Sequence, residues 1–252
     1  MTGSVGYAIL SCVAFACSTV IASRLFGRHA EGEAGSRLAL VWIAALVGAI
    51  IGAKLAFLLA EGWAKRNDMT ALIGGRSVAG ALLGGYAAVE IAKWRLGIVR
   101  ATGDVFAITV PLSLAIGRVG CVLAGCCQGV ECDPSWWTVR DAAGHARWPA
   151  AECELAFNVA FLAWAVLAAR FGWQRDQRFH VYLMAYGLFR FAHEFMREDP
   201  RWIGSIGGYH VVAGGLVVLG AVGYARRAAT NRREVSVTLT ERVGRSPGPL
   251  KE

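Results

Sequence analysis

Charged residues are scarce in this sequence: they make up 17% of its 252 residues, whereas soluble domains carry about 25%. Hydrophobic residues reach 56%. Glycine, with 31 residues, and tryptophan, with 9, are both abundant, as is typical of membrane helices and their interfaces. This composition excludes an ordinary soluble domain and predicts an all-α, polytopic integral membrane protein.

Two further patterns are missing. No segment interleaves aromatic with basic residues on a polar surface, so no nucleic-acid partner is predicted. The net charge of +8 is instead assigned to membrane topology and anionic lipid headgroups. Residues 1–6 lack the basic region of a signal peptide, which predicts that the first apolar stretch is a retained helix.

Seven apolar segments approach the length of about 20 residues that a membrane-spanning helix needs. The predicted spans are 5–22, 38–60, 71–92, 105–125, 155–172, 179–196 and 202–224. Together they form one predicted membrane domain, residues 1–225. The remaining residues, 226–252, are basic and lack periodicity, so they are predicted to form a disordered cytoplasmic tail.

The distribution of Lys and Arg predicts the orientation, because cytoplasmic connections carry an excess of both. With the N-terminus outside and the C-terminus in the cytoplasm, sixteen fall in cytoplasmic segments and six in outer segments. The polar residues within the spans then lie at one depth, near the outer face: Lys54, Arg76, Arg118, Arg190, Glu194 and His210. Since a charge inside a bilayer is costly, this clustering predicts a functional site open to the outer leaflet.

The sixth predicted span carries the densest polar pattern. Arg190, Glu194 and Arg197 follow a spacing of four and then three, which places them on one helix face, with His193 beside it. Arginine suits two-pronged contacts with phosphate, so this face is predicted to bind a phosphate group. The alternative for Arg197 is a side chain that reaches from the helix end to the interface.

Arginines in two other spans extend the predicted site. Arg118 lies among small residues, which let a neighbouring helix or a lipid headgroup approach. A structural ion pair between Arg118 and Glu194 is the alternative. Arg76 follows Gly74 and Gly75, which could break the helix and turn backbone N–H groups toward an anion. The glycines between 80 and 85 could serve helix packing alone.

Cysteines cluster after Arg118, at Cys121, Cys126, Cys127 and Cys132, with Cys153 beyond the next loop. Their spacing lacks the paired C-x-x-C pattern of zinc sites, so no metal ligand and no cofactor are assigned. Packing or structural disulfides, such as one between Cys132 and Cys153, are favoured on the outer side of a bacterial-type membrane. Metal or redox chemistry is the minor alternative.

The connection that leads into the fifth span has its own polar residues. Trp136, Trp137 and Trp148 are predicted to anchor the interface. Glu152 and Glu154 are predicted to be interfacial acids rather than catalysts.

Two motifs resemble the prolipoprotein diacylglyceryl transferase family. They are Gly117-Arg118-Val119-Gly120 and Arg190-Phe191-x-x-Glu194-Phe195-x-Arg197. The runs around Lys54, from Gly74 to Gly85, and Arg147-Trp148-Pro149-x-x-x-x-Glu154 are similar to those of its more divergent members. The resemblance covers about residues 41–223.

The resemblance implies a seven-span enzyme of the bacterial inner membrane whose site opens to the outer leaflet. The implied substrates are phosphatidylglycerol and the cysteine thiol of a lipoprotein precursor, with glycerol phosphate as the leaving group. Arg118 and Arg190 would bind the phosphate and headgroup, and Glu194 and Arg197 would shape the site. His193 or His210 is the candidate general base, because imidazole titrates near neutral pH.

The sequence departs from the family pattern at four places. Cys121 stands where the family has Asn, which makes it a candidate substrate-binding residue, and Cys126 stands where the family has Glu. Ala79 replaces a histidine, and His210 replaces a glutamine. A divergent member could therefore use another acceptor or lipid, with Cys121 or Cys126 as a covalent nucleophile. Two further hypotheses are lipid binding or transport without reaction, and thiol oxidoreduction.

Overall fold

The computed structural model describes residues 33–99 and 101–244 and the single residue 20, with 33–35 and 231–244 described by their backbone alone. The helices, in chain order, are α1 (Glu33–Phe57), α2 (Met69–Gly74), α3 (Val78–Leu96), α4 (Gly103–Ala124), α5 (Ala150–Phe171), α6 (Arg178–His193) and α7 (Gly208–Gly244). A π-helical turn, Leu58–Gly62, extends α1, and a 3-10 turn, Glu194–Met196, extends α6. Two antiparallel hairpins pair β1 (Val139–Arg140) with β2 (Ala146–Arg147) and β3 (Arg201–Ile203) with β4 (Ile206–Gly207).

Five helical segments are long and apolar enough to cross a membrane. They are Ser36–Gly62, Met69–Leu96, Gly103–Ala124, Ala150–Phe171 and Gly208–Thr230. They correspond to the second, third, fourth, fifth and seventh predicted spans, and they support the predicted all-α membrane fold. The first predicted span, 5–22, lies outside the described residues apart from residue 20. The count of seven and the orientation of the termini stay predictions.

The sixth predicted span differs from the other five. Its helix, α6, has only 16 residues, or about 24 Å. Tyr182, Leu183 and Tyr186 are fully buried, and α6 packs mainly against α7. The helix therefore lies inside the bundle, where polar residues can find partners, and it does not need the continuous apolar surface of a lipid-facing span.

The surface of the helices is apolar, as a bilayer requires. Ile50, Leu59 and Leu123 expose more than 70% of their surface, whereas the core around Phe106, Phe161 and the α6 tyrosines is closed. A soluble monomer rarely exposes contiguous apolar surface on this scale. The side chains thus face two apolar environments, the core within and lipid without.

Helices α1 and α3 pack backbone against backbone through glycines. A Cβ added to Gly52 would lie 2.7 Å from the Gly84 Cα, and a Cβ at Gly48 or Gly80 would also meet the facing backbone. The small residues four apart therefore let the two helices touch directly. The packing interpretation of the glycines between 80 and 85 is confirmed.

A loop, residues 125–149, joins α4 to α5 and lies against the end of α6. Gly129 N–H donates to the Trp148 carbonyl at 2.9 Å, and Val130 N–H donates to the Met196 carbonyl at 3.0 Å. Cys132 and Cys153 are both free thiols, so the disulfide suggested for them is not formed. Hydrogen bonds, rather than a covalent link, hold this loop in place.

The structure also differs from the sequence prediction at the C-terminal end. Helix α7 continues through Gly244, whereas the sequence pattern predicts a disordered tail from residue 226. Extending a helix that is already nucleated costs less than starting a new one, and residues 225–243 contain neither glycine nor proline. The cytoplasmic location of this segment stays a prediction.

Candidate functional site

A cavity of about 1320 Å³ runs between the helices. Its middle is lined by apolar side chains of α1, α3 and α4, among them Trp42, Leu82, Phe106 and Leu114. One end is polar, and its walls include Glu61, Arg76, Arg118, Cys121, Cys126, Cys127, Arg190, Arg197, Asp199 and Tyr209. A second polar set lies at the opposite ends of the helices and includes Glu90, Lys93, Asp176, His180, Arg226 and Arg227. The cavity therefore joins the charged group around Arg118 to an apolar middle, which is a shape that suits an amphipathic molecule.

Arg118 makes a close charged contact at the polar end. Its Nη2 lies 2.6 Å from Oε2 of Glu154, whose side chain is completely buried. The other Glu154 oxygen accepts a hydrogen bond from the Tyr186 hydroxyl at 2.9 Å. The predicted alternative, an ion pair between Arg118 and Glu194, is wrong. The carboxylate that contacts Arg118 belongs to Glu154 on α5. Glu154 holds the guanidinium group on the cavity wall.

Two further arginine–carboxylate pairs follow on α6 and the turn after it. Arg190 Nη2 lies 2.8 Å from Glu194 Oε2, and Arg197 Nε donates to Asp199 Oδ2 at 3.1 Å. Arg201 braces the turn by donating to the backbone carbonyls of Glu194 and Arg197, each at 2.8 Å. Burial opposes ionisation of Asp199, but its hydrogen bond with Glu194 and the nearby Arg197 hold its pKa below the ordinary value.

In Arg190 and in Arg197, one guanidinium nitrogen is available for a ligand. The Nη1 atom of each is buried and has no hydrogen-bond partner among the described residues. Both side chains line the cavity, and Arg197 is close enough to Arg118 for electrostatic interaction. Since a buried donor without a partner is costly, this end of the cavity is suited to an anion with several acceptor oxygens.

Arg76 lies at the break between α2 and α3 and lines the same cavity, with an exposed side chain. The backbone N–H groups near it are largely used within the protein: Ser77 N–H donates to the Ala53 carbonyl, and Gly80 N–H donates to the Ser77 hydroxyl. Lys54 donates to the carbonyls of Leu72 and Ile73 at the end of α2. Arg76 thus contributes its side chain to the site, while Lys54 stabilises the break.

The two histidines proposed as bases are buried and do not line the cavity. Nε2 of His193 accepts a hydrogen bond from Trp148 Nε1 at 3.1 Å, and the ring stacks on Phe189. His210 accepts from the Gly207 N–H at 3.1 Å through Nδ1. The side chain of Glu194 does not line the cavity either, but it contacts Arg190, which does. Of the predicted site residues, the cavity brings together the four arginines and Cys121.

Three cysteines follow Arg118 at the end of α4. The sulfur atoms of Cys121, Cys126 and Cys127 all lie within 4.8 Å of one another, and Arg118 Nη1 is 3.8 Å from the Cys121 sulfur. Hydrogen bonding with Cys121 lowers the pKa of Cys127, and the nearby Arg118 lowers it further. The cysteines thus form a compact thiol cluster on the cavity wall.

Sequence reasoning missed the importance of Glu154, for which it predicts an interfacial position. Asn158 lies one turn further along α5 and accepts a hydrogen bond from the Tyr182 hydroxyl at 2.9 Å. Glu154 and Asn158 on α5 therefore face Tyr186 and Tyr182 on α6, each pair four residues apart. Polar residues four apart on both helices were the signal that could have revealed this ladder.

Several curated proteins resemble the chain. It is 26% identical over 178 residues to phosphatidylglycerol–prolipoprotein diacylglyceryl transferase 2 of Clostridium perfringens, covering 66% of this chain and 68% of that protein. To the phosphatidylglycerol–prolipoprotein diacylglyceryl transferase of Pseudoalteromonas translucida it is 27% identical over 209 residues, 79% of this chain and 77% of that one. A protein of the same name from Cupriavidus necator is 33% identical over 129 residues, 48% and 47% of the two chains.

The model of one protein family, prolipoprotein diacylglyceryl transferase, matches residues 5–226. This match covers nearly all of the sequence and includes every residue of the polar cavity end. The chain therefore belongs to the prolipoprotein diacylglyceryl transferase family and is a transferase.

Proposed function

We propose that this protein transfers the diacylglyceryl group of phosphatidylglycerol to the cysteine thiol of a lipoprotein precursor. The observation that carries the proposal is the pair of buried, unpartnered donors on Arg190 and Arg197 at the charged end of an apolar cavity. A phosphodiester has the acceptor oxygens that such donors require. The apolar middle of the cavity suits the acyl chains of the same lipid molecule.

The reaction is a displacement at a glyceryl carbon. The acceptor sulfur forms a bond to the CH₂ carbon next to the phosphate, and the carbon–oxygen bond breaks. The electron pair goes to the phosphate oxygen, and glycerol phosphate leaves. Charge develops on the leaving phosphate, where Arg118 and Arg190 are placed to stabilise it. Glu154 and Glu194 fix the guanidinium groups, so little reorganisation is needed during the reaction.

The proton of the acceptor thiol must also leave. A cysteine thiol titrates near pH 8.5, so the free-energy cost of removing its proton near neutral pH is modest. His193 and His210 stay candidate bases, but neither lines the cavity, so each would need a relay. At the end of the cavity that holds Arg118, the carboxylates of Glu61 and Asp199 line the wall. The depressed pKa of Asp199 makes that group a weak base.

The proposed location is the bacterial inner membrane, with the N-terminus outside and the site open to the outer leaflet. The excess of Lys and Arg in the predicted cytoplasmic connections supports this orientation. In a variant whose native cysteines are replaced by serine, a cysteine introduced at Ala142, in the loop after α4, should react with a membrane-impermeant maleimide in intact cells. A cysteine at Arg175, between α5 and α6, should react only after lysis. The reverse pattern would refute the orientation.

The transfer itself is tested with purified protein, labelled phosphatidylglycerol and a lipobox peptide. We expect label on the peptide, and we expect Arg190→Lys to lower the rate by about 100-fold or more, because lysine keeps the charge but loses the planar fork. Arg170→Lys is the matched control, since Arg170 is an exposed arginine in the last turn of α5. Equal rates for Arg190→Lys and Arg170→Lys would remove the proposed role of Arg190.

A second candidate function is binding of an anionic phospholipid without this reaction, or transfer to another acceptor. It is favoured by Cys121, Cys126 and Ala79, which stand where the family pattern has polar residues. Lipid that co-purifies with the protein and is never consumed with the peptide would support binding alone. An intact protein mass raised by one diacylglyceryl group would indicate a cysteine of this chain as the acceptor.

A further inference from the structure

The thiol cluster of Cys121, Cys126 and Cys127 has the geometry of a metal-binding site, which the sequence spacing did not reveal. All three sulfur atoms lie within 4.8 Å of one another. Around one zinc ion with bonds of about 2.3 Å, thiolate sulfurs lie about 3.8 Å apart. A contraction of about 1 Å, within reach of side-chain rotation, would therefore bring all three to one metal ion.

The backbone helps to gather these thiols. Helix α4 ends at Gly125, whose φ of 61° reverses the chain and brings Cys126 back over the last turn, where its N–H bonds to the Cys121 carbonyl at 3.0 Å. Cys127 also has a positive φ, 61°, which is unusual for a residue with a side chain. Such strain is typically retained where the surrounding structure or a function requires it.

The charges around the cluster suit a complex of three thiolates. Three cysteines bind a divalent cation as thiolates, so the complex carries one net negative charge. Arg118, with Nη1 at 3.8 Å from the Cys121 sulfur, and Arg197, close enough to act on Cys127, can balance that charge. A metal site with only neutral ligands would keep its positive charge and be repelled by these arginines.

We propose that Cys121, Cys126 and Cys127 bind one thiophilic divalent cation of the zinc type, with a fourth coordination position open to the cavity. Three protein ligands and one open position are the arrangement of zinc sites that act on substrates, whereas purely structural sites are closed by four. Each of the three cysteines lines the cavity, so a molecule inside it can reach the open position.

The open position also offers a place for the acceptor thiol, an extension that rests on the proposed function. A thiol that coordinates the cation loses its proton, which passes to water in the cavity, and the sulfur is held as a thiolate beside Arg118. Coordination would thus remove the proton of the acceptor thiol. His193 and His210 cannot take that proton directly, because neither lines the cavity. The metal site itself needs only the three cysteines and does not depend on the transfer reaction.

The test is titration of the purified, reduced protein with Co²⁺ and Zn²⁺ in detergent. We expect one Co²⁺ per chain with sulfur-to-cobalt charge-transfer absorption, displacement by Zn²⁺, and release of protons on binding. Cys126→Ser should weaken Zn²⁺ binding by more than about 100-fold, beyond the 10- to 100-fold cost of losing an outer partner of a ligand. Cys126 is exposed, so this change should leave folding intact.

Cys132→Ser and Cys153→Ser are the matched controls, because both thiols are free and lie outside the cluster. They should bind Co²⁺ as the wild type does. Absence of the thiolate absorption, equal loss in the control variants, or a disulfide within the cluster that persists after mild reduction would each overturn the proposal. Label transfer by protein stripped of metal would remove only the extension to the acceptor thiol. Metal binding without any transfer would leave the site standing and remove the proposed function.

Discussion

Each buried arginine of the cavity has its own carboxylate: Glu154 for Arg118, Glu194 for Arg190 and Asp199 for Arg197. The partner reduces the cost of burying the guanidinium group, which alone inside a membrane protein would be prohibitive. The pairing also fixes the plane of each fork, while the Nη1 atoms of Arg190 and Arg197 stay available. In the proposed function, the carboxylates therefore position the arginines for anion binding.

The pair of Arg118 and Glu154 gives the sharpest prediction for a single residue. Glu154→Gln keeps the size of the side chain and an acceptor for the Tyr186 hydroxyl, but it leaves Arg118 as a buried charge without its partner. We expect the free energy of unfolding to fall by about 3–5 kcal/mol and label transfer to be lost even at low temperature, where the variant stays folded. Thermal unfolding in detergent and the transfer assay measure the two effects.

Glu131→Gln is the control, because Glu131 is an exposed acid in the loop before β1 and its replacement should change neither quantity. A Glu154→Gln variant with wild-type stability and activity would contradict the role given to this ion pair. Restoration of stability by Arg118→Met in the Glu154→Gln background, without restoration of activity, would support the assignment of a charge penalty rather than lost packing.

The residues of the site could be predicted only in part. A charge in an apolar span is visible in the sequence, so Arg76, Arg118 and Arg190 were found and do line the cavity. Glu154 stands near the start of its span, where an interfacial acid and a buried partner look alike. The contact between α4 and α5 distinguishes the two, and no periodicity within one helix contains that information.

At the scale of helices, the tightest contact joins α1 to α3. The glycines at 48 and 52 meet those at 80 and 84, and the helix backbones touch. These two helices form the wall that carries Arg76 and much of the apolar lining of the cavity. Their separation should therefore govern the width of the apolar space.

A matched pair of glycine substitutions tests this contact. Gly52→Ala adds a Cβ that would lie 2.7 Å from the Gly84 Cα, so we expect overpacking to lower the free energy of unfolding by about 1–3 kcal/mol. Gly214→Ala, in α7, adds a Cβ with nothing within 4 Å and should be neutral or stabilise by up to about 1 kcal/mol. Thermal unfolding of both variants in the same detergent gives the comparison. If Gly52→Ala were as stable as Gly214→Ala, the close packing of α1 and α3 would be disproved.

Helix ends were harder to predict than helix positions. Apolar composition located five spans, and Gly74 and Gly75 indicated a break before α3, yet the exact ends of the helices depend on hydrogen bonds that composition does not show. Lys54, for example, closes the end of α2 from a different helix. Contacts of this kind join residues far apart in the sequence, so the pattern of each segment by itself does not reveal them.

At the scale of the whole molecule, one cavity unites the arginines, the thiol cluster and the apolar lining. Membership of the prolipoprotein diacylglyceryl transferase family and the amphipathic shape of this cavity support the same substrate class, a phospholipid. The cysteines at family-atypical positions face the same space, so the arginines proposed to bind phosphate and the thiols proposed to bind a metal share one cavity.

Identifying both products of one reaction is the most direct test of the proposed transfer. In that transfer, a diacylglyceryl group moves from phosphatidylglycerol to a thiol in the arginine-lined cavity. Purified protein, phosphatidylglycerol and a lipobox peptide are incubated, and mass spectrometry follows the peptide and the water-soluble phosphate ester. We expect a peptide heavier by one diacylglyceryl group on its cysteine and an equal amount of glycerol phosphate, both lost in Arg190→Lys and retained in Arg170→Lys. An unmodified peptide with intact lipid, or glycerol phosphate released without a modified peptide, would contradict the proposed transfer.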